Sequence, residues 1–131
     1  MSDFTIKRID DMDAAFLGSF KRARAELGVT SFGIQVIDFP PNAPDVYPEH
    51  DHADEGQEEV FLLLRGSGEL VIDGERHALD TETLVRVGPA ARRKLVSGPE
   101  GMRVLALGGL PGKPYEIKEL SELGAPDPWA G

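Results

Sequence analysis

Cysteine is absent from the chain, so disulfides and thiolate metal sites are excluded. Positive charge is scarce. Fourteen Lys and Arg stand against 23 Asp and Glu, for a net charge of −9. Phosphate binding needs a basic face, so nucleic acid is excluded as an expected partner. The acidity suits a cationic ligand or a metal instead. Long apolar runs are missing too. "VFLLL" is far too short to span a bilayer, and "MSDFTIKRID" lacks the apolar core of a signal peptide. No membrane partner is expected, and the expected location is cytoplasmic. There is no HExxH, no phosphate loop, no Ser-His-Asp order and no internal repeat.

What is present fits one globular domain. The 131 residues are 40% hydrophobic and 28% charged. Glycine (15) and proline (10) are frequent, and many turns in a short chain imply many short strands.

The pattern along the chain divides into three parts. Residues 4–9 read as a short strand. A helix is expected over about 11–27, because Met12, Phe16, Phe20, Ala23 and Leu27 recur at helical spacing and Gly28 is a natural stop. From there the period changes to two. Residues 31–39, 59–65, 69–73, 75–79, 83–87, 92–96 and 102–107 read as strands separated by turn residues. Asp73-Gly74 is the strongest hairpin signal among them. Beyond Leu107 lie glycine- and proline-rich sequence, a short possible helix at 117–124 and a loose end carrying Trp129. Roughly eight evenly spaced strands argue for an all-β sandwich or barrel.

Histidine is rare, and two of the three fall in "HDHADEGQEEV" (50–60). On a strand, His50 and His52 point to one face, with ring nitrogens close enough to share an ion. A carboxylate from a neighbouring strand would complete a two-histidine, one-carboxylate set. Glu59 is the candidate, because it shares a face with Phe61 and Leu63, whereas Glu58 points outward. The set suits Fe, Mn, Ni or Zn and leaves positions open for a ligand. The plain alternative is a solvated acidic loop. His77, just after the hairpin, reads as a surface residue. Gln35 and Tyr47 could line a cavity mouth or, equally, take core or edge positions.

At these residues the chain resembles the cupin superfamily, and most of all its stand-alone, one-domain bacterial members. The family's first motif runs Gly, five residues, His-x-His, three or four residues, Glu, six residues, Gly. His50-Asp51-His52 matches the His-x-His, Glu59 and Gly66 match the end, and Pro44 stands for the first Gly. The gap between His52 and Glu59 is six residues, so 53–58 holds an insertion. In the second motif Glu82, Gly88, Ala90, Arg93 and Ser97 stand for Gly, Pro, Gly, His and Asn.

The resemblance implies a double-stranded β-helix (jelly-roll), RmlC-like barrel. Its core would be about 32–107, with an N-terminal helix and a C-terminal extension over 108–131, in a single domain. It implies a metal held by His50, His52 and Glu59, a small-molecule ligand and a homodimer. Arg93 replaces the fourth ligand, and a guanidinium cannot ligate. Three roles are open for it. It could pair with Glu59 in a metal-free binding or structural module. It could hold an anionic substrate group beside a three-ligand ion, with Tyr47 also contacting substrate. Or it could bend to the surface. The reaction is left open among oxygenase, isomerase and lyase types.

Overall fold

The computed structural model describes residues 3–130. Eight strands and one short helix follow in the order β1 (Ala14–Ala15), β2 (Phe20–Lys21), α1 (Ala23–Leu27), β3 (Gly33–Phe39), β4 (Tyr47–His50), β5 (Glu58–Ile72), β6 (Glu75–Ala78), β7 (Val85–Val87) and β8 (Arg93–Gly109). All pairings are antiparallel. The main path is β1-β2-β3-β8-β5-β6, with β4 added to β8 and β7 to β5.

The two long strands carry the architecture. The first half of β5 pairs with the second half of β8, and the last part of β5 with the first part of β8. Between these halves the register slips twice, at Leu63/Arg65 and at Gly66/Gly68. Such irregularities let one strand bend and serve both layers of a sandwich. Gly66 supplies the corner with φ 86°. An added Cβ there would fall 2.1 Å from the Gly101 carbonyl oxygen.

The inner faces follow period two. Glu59, Phe61 and Leu63 are buried on β5 while Val60 and Leu62 between them are half-exposed. Phe61 and Leu63 join Leu70, Leu95, Val104, Ile37 and Phe39 in the main core. Asp73 and Gly74, with φ 50° and 82°, form the two-residue turn between β5 and β6 read from the sequence. A second cluster lies outside the sheet, where Met12 and Ala23 cover Val36 and pack with Ile34, Leu64 and Leu105.

The N-terminal segment corrects the sequence reading. The helix expected over 11–27 is reduced to α1, its last turn, closed by Gly28 as anticipated. The first half is the β1–β2 hairpin. Phe16, Leu17 and Gly18 all adopt positive φ, which no right-handed helix accommodates. The Asp127 carboxylate holds that turn by accepting the Phe16 and Leu17 N–H groups, both at 2.8 Å. Residues 4–9 form no strand, and Phe4 and Ile6 are 71% and 84% exposed. The expected helix at 117–124 is one 3-10 turn, Glu119–Ser121. No described helix is long and apolar enough to cross a membrane.

Gly66→Ala combines positive-φ strain with a backbone clash at the corner. It is expected to destabilise the fold by about 3 kcal/mol or more, read as a lower urea midpoint.

Candidate metal centre

Strand β4 brings the first two residues in. His50 lies opposite Arg93 on β8, and Tyr47 lies opposite Leu95. Two residues lie between 47 and 50, but only one lies between 93 and 95, so a bulge absorbs the extra one. Without it, alternation would send Tyr47 and His50 to opposite faces. The His52 N–H donates to the Pro89 carbonyl at 2.9 Å, which fixes the chain after the strand. Glu59 enters from β5, opposite Val87 on β7 and Gly108 on β8.

The inserted loop is a tight turn. The Glu55 and Gly56 N–H groups both donate to the His52 carbonyl, which returns Glu55 to the His52 ring. His52 Nδ1 then lies 2.7 Å from Glu55 Oε1. His50 Nδ1 lies 2.9 Å from the Pro48 carbonyl oxygen. Carbonyl and carboxylate oxygens only accept, so each Nδ1 carries the proton. In the neutral rings each Nε2 is then left with a lone pair, whereas a second proton on His52 Nε2 would donate to Glu59 and make that ring an imidazolium. The two Nε2 atoms are 3.3 Å apart, and His52 Nε2 is 3.2 Å from Glu59 Oε1.

These spacings can be compared with those of a metal site. Two ligands at about 2.1 Å from one ion, subtending 90–109°, lie about 3.0–3.4 Å apart. The donor atoms of His50, His52 and Glu59 lie within 4.8 Å of one another. Three acceptors converging on one point repel each other unless a cation (a proton, a metal ion or a guanidinium) sits beside them. The donor set therefore fits a divalent transition metal.

Arg93 is fully buried. Its Nη1 donates to Glu59 Oε1 at 3.0 Å and its Nη2 to the Gly88 carbonyl, while Nε has no partner among the described residues. Of the three roles open in the sequence, the surface one is excluded and the pair with Glu59 is formed. Tyr47 also donates to Glu59 Oε1, at 3.1 Å. Burial and the Glu59 charge push its phenol well above the usual range, which keeps it a donor. Gln35, His52, Gln57, Glu59, Tyr115 and Lys118 line a cavity of about 180 Å³, and neither Arg93 nor Tyr47 is among its walls. Gln35 thus lines this cavity, whereas Tyr47 walls a separate apolar cavity of about 410 Å³ with Phe16, Phe20 and Trp129. His77 is exposed, as expected. A depression of about 550 Å³ beside Gly66 and Gly101 holds none of these residues.

Sequence reasoning missed Glu55, Gln57, Tyr115 and Lys118. The insertion was a signal for the first two. Nothing local marks the last two, which lie in the C-terminal segment.

No family model matches the sequence, and no curated protein matches it. Solved structures do match. A cupin protein from Bacteroides fragilis aligns over 90% of this chain and 93% of its own, at 19% identity and TM-score 0.67. A sugar phosphate isomerase of the cupin superfamily from Silicibacter pomeroyi covers 78% and 69%, at 18% identity and TM-score 0.58. KdgF from Halomonas sp. covers 82% and 84%, at 13% identity and TM-score 0.54. Likeness at these identities establishes the fold.

Two predictions follow from the geometry. Arg93→Ala leaves Glu59 without its buried cation and is expected to cost about 3–5 kcal/mol in urea unfolding. Glu59, then Glu55, raise the His52 pKa above its ordinary value by hydrogen bonding to the imidazolium. A raised folded pKa stabilises fully below the unfolded value of about 6.5, and the gain disappears as pH rises through the folded value. Metal-free protein should therefore lose stability above about pH 6.5, and His52→Gln should lack that component.

Proposed function

We propose that this chain, a cupin by its fold, is a divalent-metal-dependent enzyme acting on a small polar metabolite. His50, His52 and Glu59 would hold the ion. The observation that carries the proposal is the orientation of the two imidazoles. Each Nδ1–H is engaged by an oxygen, which leaves the two Nε2 atoms, 3.3 Å apart, for an ion beside Glu59, whose Oε1 lies 3.2 Å from His52 Nε2. The donor set suits Fe, Mn, Ni or Zn. A bound ion would supply Lewis acidity at the cavity floor.

The chain's own residues do the rest. Arg93 and Tyr47 fix the Glu59 carboxylate, so their part is to position a ligand of the ion rather than to grip substrate. Gln35, Gln57 and Tyr115 offer amide and hydroxyl groups for orienting a polar molecule. The formal charges of Glu55, Glu59, Arg93 and Lys118 cancel, so a divalent ion leaves the site positive. That favours a metabolite bearing a carboxylate or phosphate. A small polar substrate is also in keeping with the similar fold described as a sugar phosphate isomerase. Oxygenase, isomerase and lyase chemistry all stay within the proposal.

The proposal keeps a cytoplasmic setting and a homodimer. Phe32 is exposed beside half-buried Val60 and Leu107 on the outer sheet face, which a second copy would cover.

A second reading draws on the Arg93–Glu59 contact. In it the guanidinium supplies the cation, and the protein is a metal-free binding or structural cupin.

Metal analysis separates the two. Protein purified without added metal should carry close to one divalent ion per chain, and His50→Ala should lose it. Added ion at one hundred times its Kd should stabilise the wild type by about 2.7 kcal/mol. If no divalent ion at millimolar concentration raises the Tm, the metal-free reading stands and the enzyme proposal falls.

A further inference from the structure

The C-terminal segment, residues 110–130, has one 3-10 turn of regular structure, yet it is held by polar anchors. Arg22, buried at the base of α1, donates from Nε to the Leu120 carbonyl and from Nη2 to the Ala125 carbonyl, each at 2.8 Å. Its Nη1 reaches Asp13 at 2.7 Å. Asp127 caps the β1–β2 turn, and the Trp129 ring meets Phe16 edge-on with centroids 5.0 Å apart. Tyr115 lies against Gly33, where an added Cβ would come within 2.7 Å of the phenolic oxygen. A segment held by a few discrete anchors and little buried apolar surface can detach without unfolding the sandwich.

Docked, the segment roofs the cavity with Tyr115, Lys118 and Leu120. It also reaches the candidate ligands by a chain of charged contacts. Lys118 Nζ lies 2.7 Å from Glu55 Oε2, and Glu55 Oε1 lies 2.7 Å from His52 Nδ1. Each Glu55 oxygen thus has a separate partner, and rotation of the carboxylate breaks one contact or both. Lys118 and Glu55 are both partly exposed, so their pair adds little to overall stability. Its effect is geometric, since it holds the carboxylate that sets the His52 ring.

We infer that Glu55 and Lys118 are positioning residues that couple docking of the C-terminal segment to metal binding at His52. The inference rests on the proposed metal site and adds a regulatory element to it. With the segment docked, Glu55 is fixed, His52 Nε2 is aimed, and the cavity is partly roofed. With the segment released, Glu55 turns to solvent and His52 loses its orienting acceptor. Linkage is reciprocal, so bound metal must favour the docked segment by the same factor by which docking favours metal.

The chain has a single tryptophan, Trp129, which reports docking directly. Zinc chloride is titrated calorimetrically into metal-stripped wild type, E55Q, K118A, K118R and H50A. Acrylamide quenching of Trp129 is measured with and without saturating zinc, a d10 ion without redox chemistry of its own. The expected results are about 10- to 100-fold weaker zinc binding in E55Q and about threefold to tenfold weaker binding in K118A. K118R should recover most of the loss. Zinc should protect Trp129 from quenching in wild type and do so less in K118A. If K118A binds zinc as tightly as wild type, or zinc leaves Trp129 quenching unchanged, the coupling is overturned, even where E55Q is weakened. If wild type binds no zinc, or H50A binds it equally well, the failure is that of the metal site itself.

Discussion

One carboxylate oxygen, Glu59 Oε1, is contacted from three directions, and the interior depends on it. Arg93 on β8 and Tyr47 on β4 donate to it, and His52 Nε2 approaches it from the loop beyond β4. A carboxylate and a guanidinium buried together each lose several kcal/mol of hydration. Their pairing offsets that loss only with good geometry. The fold supplies it by setting Glu59 on one layer of the sandwich and Arg93 at the start of the strand that crosses to the other. The contact ties the layers together at a polar point inside an otherwise apolar core.

That arrangement gives Arg93 a specific meaning. At the position that the resemblance aligns with a motif histidine, this chain has a permanently charged side chain that cannot ligate. Arginine there offers no neutral ligand and brings a positive charge that neutralises Glu59. A metal held here would therefore have three protein ligands, one of them shared with a guanidinium. It would lie in a site of higher positive charge than a four-ligand centre, a difference that favours anionic metabolites.

The sandwich itself was legible because its signals are local. Alternation along 59–65 sends Glu59 inward with Phe61 and Leu63, and Asp73-Gly74 can hardly be anything but a tight hairpin. His50 and His52 were legible as a pair by spacing. What escaped is non-local. Phe16 and Phe20 have helical spacing, but the chain between them turns through left-handed conformations held by Asp127, more than a hundred residues away. Lys118 reaches His52 only through Glu55, and Glu55 does so only because an insertion curls back on itself. A window of sequence carries no trace of such contacts. The bulge that lets both Tyr47 and His50 face inward is likewise a property of the pairing with β8, not of β4 alone.

The most direct test of the account is crystallographic. Crystals soaked in manganese or zinc should give one anomalous peak bounded by His50 Nε2, His52 Nε2 and a Glu59 oxygen, with Arg93 still on that carboxylate. An ion bound elsewhere, or His50 and His52 turned apart with Glu59 closed on Arg93 alone, would contradict it.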